Sequence, residues 1–120
     1  MGEVRLWIMH LLAGIVVLVF LAIHMGIMHM ESIVLAFGMG YEHARSWESV
    51  VTRNKQVFYM VTYIVLLGAA LYHGCYGLRN ILFELNTGKS AQRVMSVLVL
   101  LAGVALFAYG TYAAIAAYSA

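Results

Sequence analysis

Three stretches of this chain, residues 6–30, 56–78 and 94–118, contain no Asp, Glu, Lys or Arg. Each is longer than the roughly 20 residues that an α-helix needs to cross about 30 Å of hydrocarbon. Taken whole, the chain is 64% hydrophobic and only 10% charged, with a mean hydropathy of +0.91. A soluble domain carries about 25% charged residues, so this composition cannot cover a surface facing water. The expected fold is therefore an all-α integral membrane protein, a single anchor domain with three transmembrane helices over about 6–30, 56–82 and 92–118. Proline is absent, so nothing forces a break in these helices. The first stretch is too long for a signal-peptide core and has no small-x-small cleavage site, so it is expected to be retained. A net charge of +2 gives no reason to expect a nucleic-acid partner.

The polar residues collect in two connections. Residues 31–55 carry Glu42, His43, Arg45, Trp47, Glu48, Arg53 and Lys55. Within them, 46–51 is expected to form a short interfacial helix with Trp47 at headgroup level. Residues 84–93 include Asn86-Thr87-Gly88-Lys89-Ser90, a polar turn suited to joining two antiparallel helices. Arg5, Arg79, Lys89 and Arg93 fall on one side of the membrane, against Arg45, Arg53 and Lys55 on the other. This excess of one places the N-terminus in the cytoplasm and the C-terminus outside. In the third stretch, Gly110 with Ala114 and Ala113 with Ala117 are small residues four apart, which lets a neighbouring backbone approach. Cys75 has no second cysteine to pair with, and helix packing is its expected role.

Polar groups in hydrocarbon are costly and usually face a partner, so histidines in the spans need an account. Each has a plain one: a place in the headgroup layer, or a hydrogen bond to a neighbouring carbonyl. For His73 there is a sharper reading. Ala69, His73 and Gly77 recur at four-residue spacing and share one helix face. Small residues above and below the imidazole leave a flat groove in which a porphyrin can lie. Arg79, nearer the surface, can pair with a haem propionate. Together these features suit an axial ligand of haem b. His24 is a second candidate, about 27 Å along the first helix. Its depth differs from that of His73 by roughly 13 Å, so the two cannot serve one iron. His29 is about 140° further round the helix and near the interface, where a propionate, a quinone or plain headgroup exposure can satisfy it. His10 lies near the opposite surface, four residues before Gly14, and His43 falls in the loop. Met25, Met28 and Met30 are read as lipid-facing or packing residues. A six-coordinate haem needs two axial ligands at matching depth, and this reading finds one at each of two depths, so the others must come from another subunit.

The run His73-x-x-x-Gly77-Leu78-Arg79-Asn80-Ile81-Leu82-Phe83-Glu84 resembles the H-x-x-x-G-[aliphatic]-R-[H/F]-x-x-[aromatic]-D signature of cytochrome b membrane-anchor subunits of succinate dehydrogenase. Asn80 stands where His or Phe is usual, and Glu84 replaces Asp with its charge retained. His10-Leu11-Leu12-Ala13-Gly14 is similar to the family's H-R-x-[S/T]-G at the start of the first helix, with Leu11 in the arginine's place. His24 and His29 match the H-x4-H segment of the dihaem anchors, whose first histidine ligates the outer haem. The resemblance covers about residues 6–93.

It implies a subunit that binds haem b, two per complex and shared with a second anchor, through His73 and His24 as iron ligands. His10, His29 and Arg79 are then cofactor contacts. The further partners are an iron–sulfur subunit and a flavoprotein subunit on the cytoplasmic side of the cell's inner membrane. Electrons pass from succinate to a membrane quinone, and the dihaem branch points to menaquinone. Two alternatives keep the fold: the anchor of a fumarate reductase, and a haem-free anchor in which His73 only packs. A small transporter subunit using histidines as proton carriers would call for acidic residues inside the spans, and there are none.

Overall fold

A computed structural model describes residues 2–30, 36–37, 46–85 and 88–120. Among these residues there are four helices: α1 (Gly2–His29), α2 (Trp47–Asn54), α3 (Val57–Leu85) and α4 (Lys89–Ser119). Three of them, α1, α3 and α4, are long and apolar enough to cross a membrane, as expected. At 28, 29 and 31 residues they are about 42–46 Å long, well beyond the hydrocarbon thickness of about 30 Å. Their ends therefore project into the headgroup layers.

This overhang accounts for the main departure from the expected boundaries. The polar segment 84–93 is mostly helical: α3 continues through Leu85 and α4 starts at Lys89, after Gly88 in an extended N-cap conformation. Continuing each helix satisfies backbone groups that a loop at the membrane surface would leave unpaired. At the other end, Ser46 caps α2, its hydroxyl oxygen accepting from the Ser49 N–H. Trp47 is 82% exposed at the start of that helix, consistent with the expected interfacial anchor.

Helix α3 is the centre of the bundle, packed on α1 along one side and α4 along the other, while α1 and α4 make no close backbone approach. Tyr76, on α3, is the one buried hydrophobic residue among those described, and large side chains such as Leu18, Leu98 and Leu101 point outward. In water that surface would drive aggregation. In lipid it is the solvent-facing side, and no hydrophobic gain is available to hold the helices together.

Close packing at glycines takes over that task. On the α3–α4 side, a Cβ at Gly103 would lie 3.2 Å from Cys75 Sγ, and one at Gly68 would lie 3.2 Å from the Phe107 ring. Gly110 faces Leu67 of α3. Gly110 and Ala114 are half-buried, whereas Ala113 is exposed. Of the two small-residue pairs expected on this helix, the one containing Gly110 thus lies on the packed side. Cys75 is a packing residue, as expected. Polar side chains within the helices return their hydrogen bonds to the preceding turn, as with Thr62 to the Phe58 carbonyl at 2.7 Å.

Gly103→Val is expected to destabilise the detergent-solubilised complex by about 1–3 kcal/mol through overpacking. Adding Cys75→Ala should recover most of that loss. Thermal melts followed by circular dichroism test both, and a Gly103→Val protein that melts with wild type would contradict this packing.

Candidate functional site

Helices α1 and α3 run antiparallel and each carries a histidine four residues before a glycine: His10 and Gly14 on α1, His73 and Gly77 on α3. The two pairs interlock. A Cβ at Gly14 would lie 2.9 Å from His73 Cε1, and one at Gly77 would lie 3.3 Å from His10 Cε1. Between the glycines the imidazoles stack face to face, with centroids 4.2 Å apart and planes 1° from parallel. His73 Nδ1 donates to the His10 carbonyl oxygen at 3.0 Å. A carbonyl can only accept, so Nδ1 carries a proton, and in the neutral imidazole the lone pair is then on Nε2. Among the described residues, Nε2 has no hydrogen-bond partner. This is the arrangement that prepares a histidine to ligate a metal through Nε2.

His10 therefore lies at the depth of His73. The sequence reading placed a single candidate ligand at each of two depths; the structure puts two imidazoles at one. Their parallel stacking still excludes them as an axial pair, because such ligands point at the iron from opposite sides. Gly77 also faces the His10 ring, so the groove expected to hold a porphyrin is closed by α1 at that position. Among the described residues His10 Nδ1 is buried without a hydrogen-bond partner, at a cost of about 1–3 kcal/mol if it stays so. An orphaned polar atom of this kind calls for a partner such as a water, an ion or a bound group.

Towards the N-terminal end of α1, Arg79 gathers a polar cluster. Its Nη2 is 3.6 Å from Glu3 Oε1, Nε donates to Ser96 Oγ at 3.2 Å, and Nη1 donates to Asn80 Oδ1 at 3.3 Å. The guanidinium lies 4.4 Å from the centre of the Phe83 ring. Tyr76 donates weakly to Glu3 Oε2 at 3.4 Å, and Tyr72 donates to the Leu6 carbonyl at 2.9 Å. Arg79, predicted to meet a propionate, is thus already matched to a carboxylate. It joins α1, α3 and α4 at one end of the bundle.

His24 lies elsewhere on the same helix interface. It lines a small cleft with Phe20, Phe58, Tyr59, Thr62 and Tyr63, and meets the Tyr63 ring edge-on at 6.2 Å. Ten residues separate it from Gly14, the residue level with His73, or about 15 Å of helix. The expected separation in depth holds. His29 is exposed at the end of α1, Met25 and Met30 point outward, and Met28 Sδ accepts from Arg53 at 3.5 Å. His43 lies outside the described residues. Among the described residues, no group of three or more His, Cys, Asp or Glu could hold a bare metal ion. Haem brings four nitrogens of its own, so it asks the chain only for axial donors.

The long apolar helices with ionisable groups on inward faces define a multi-pass membrane subunit. Residues 3–111 match the family described as succinate dehydrogenase/fumarate reductase transmembrane subunit, and the chain belongs to that family. It is also similar to a succinate dehydrogenase hydrophobic membrane anchor subunit of Archaeoglobus fulgidus, with 29% identity over 106 residues, 88% of this chain and 83% of the relative. No solved structure matches significantly.

The sequence reading missed the pairing of His10 with His73. The signal was present in the same H-x-x-x-G spacing on two helices expected to be antiparallel.

Exposed ion pairs contribute at most about 1 kcal/mol, and the Glu3 side chain is 72% exposed. Glu3→Gln is therefore expected to change stability by less than about 1 kcal/mol. Arg79→Gln, which also loses Ser96, Asn80 and Phe83, should cost more. Parallel thermal melts would refute this ranking if Glu3→Gln were the more damaging.

Proposed function

We propose that this anchor is a haem b-binding subunit that passes electrons to a membrane quinone. The observation that carries the proposal is the His73 Nδ1 bond to the His10 carbonyl, which in the neutral imidazole leaves the Nε2 lone pair available near the middle of α3. A hydrogen-bonded imidazole of this kind is held in orientation and made a better donor to iron. Arg79 supplies a cation for a propionate, a carboxylate like that of Glu3 to which it is now paired. His10, with its orphaned Nδ1, is a second polar contact for the same group.

When bound, haem supplies reversible one-electron chemistry, at a potential set by its axial ligands and burial. The work of this chain is to hold the ligand nitrogen, balance the carboxylate charge and keep water away with apolar helix faces. Because one polypeptide offers one usable axial ligand at each depth, a second anchor subunit supplies the opposing histidines. An iron–sulfur and a flavoprotein subunit bring electrons from succinate on the cytoplasmic side, where the N-terminus lies. Menaquinone is the proposed acceptor. The family description covers both succinate dehydrogenase and fumarate reductase, and these roles of the chain serve either direction.

A second haem at His24, nearer the outer face, is part of the proposal. The aromatic cleft around that imidazole supports it, since a histidine in a membrane span is costly unless its polar atoms are used. His29 remains a surface contact for a propionate or the quinone.

In the assembled complex, His73→Ala should remove one b-type signal from the reduced-minus-oxidised spectrum while the subunits still co-purify. An undiminished signal would refute the assignment. Haem per complex should approach two, and His24→Ala should lower it to about one. A wild-type ratio of one, or loss on His29→Ala with retention on His24→Ala, would reject the second site.

A further inference from the structure

We infer that Gly14, which has no side chain to bind anything, is a positioning residue for the haem iron: its bare backbone fixes the plane of the His73 imidazole. The inference rests on His73 being an axial ligand, as proposed above. In an α-helix the carbonyl of His10 accepts from the N–H of Gly14, one turn later. That oxygen has a second lone pair, and His73 Nδ1 uses it at 3.0 Å. To reach it, the imidazole must lie across residue 14 itself. A Cβ there would stand 2.9 Å from Cε1 and 3.0 Å from Nδ1, closer than real Cβ atoms approach such neighbours. Any side chain at this position would push the ring away from the carbonyl that sets its tautomer.

The ring has little freedom to yield. Its face is stacked on His10, whose own ring is held by Gly77 in the reciprocal contact. A methyl group at residue 14 must therefore turn or tilt His73 against His10, changing the direction in which Nε2 points. Ligand plane and hydrogen bonding at the second nitrogen are among the protein's means of tuning a haem. The glycines thus differ in role. Gly103 and Gly68 bring helices together, whereas Gly14 aims a ligand. Gly26, on the same helix, is the natural control, since among the described residues a Cβ there meets nothing nearer than Met30 Sδ at 3.8 Å.

The test uses the assembled complex with three readouts: haem content, the electron paramagnetic resonance g values of the oxidised low-spin haem whose signal is lost in His73→Ala, and the midpoint potential of that haem. Gly14→Ala is expected to retain haem but to displace the largest g value and shift the potential, with Gly26→Ala at wild-type values in both. Wild-type g values and potential in Gly14→Ala would overturn the inference. If Gly14→Ala does not assemble, His10→Ala is added to it. Removing the His10 ring gives His73 room to move, so the double variant is expected to assemble and to show the displaced g value. A double variant that fails to assemble, or that assembles with the g value of His10→Ala alone, would overturn the inference as well. Failure of the underlying reading looks different: wild-type complex without b-type haem, or a His73→Ala complex that keeps all of it.

Discussion

A bilayer offers the backbone no water, so every N–H and C=O in its core must find a partner inside the protein. Helices meet that demand within each segment, and three of them account for most of this chain. Once the backbone is satisfied, lipid tails solvate Leu and Val about as well as other side chains do, and apolar burial no longer favours one helix pairing over another. What remains is the quality of contact. In this bundle that depends on Gly14 of α1, Gly68 and Gly77 of α3, and Gly103 and Gly110 of α4, each with a larger side chain from a neighbouring helix lying against it. The central position of α3 follows, because it carries glycines towards both neighbours.

The same device serves packing and chemistry at once. On the α3–α4 side the glycines meet Cys75, Phe107 and Leu67, and the result is close approach. On the α1–α3 side they meet His10 and His73, and the result is two imidazoles held at one depth with one nitrogen committed to a carbonyl. A histidine would be expensive here if it were merely tolerated in hydrocarbon. Bonded through Nδ1, it is partly compensated and left with a donor nitrogen for a metal. The polar cluster around Arg79 lies towards the helix ends, where helices longer than the hydrocarbon thickness project into the headgroups and a guanidinium can keep partial contact with water.

Membership of the succinate dehydrogenase/fumarate reductase transmembrane family gives these features a setting. An anchor that only tethered other subunits would need apolar helices and a docking surface. It would have no need of a tautomer-fixed imidazole, an orphaned buried nitrogen and an arginine matched to a carboxylate within a few turns of one another. Those costs are the ground for the haem-binding role proposed for this subunit.

Most of the fold was legible in the sequence because one physical rule wrote it: stretches free of charge and longer than the membrane is thick become spanning helices, whatever their neighbours. A short helix with Trp47 exposed at its start, Cys75 as a packing residue and the differing depths of His24 and His73 follow from spacing and polarity in the same way. The boundaries at 84–93 were less legible, since the polarity of a segment marks the membrane surface but says nothing of whether a helix ends there. That His73 and Arg79 are polar groups in need of partners could be read from the sequence, but which partners they find could not. That His10 stacks on His73, that Gly14 lies under one ring and Gly77 under the other, and that Glu3 reaches Arg79 depend on the rotation and relative height of α1 and α3. Those are decided by how two helix surfaces fit, a property of neither helix alone, and only the tertiary structure fixes them.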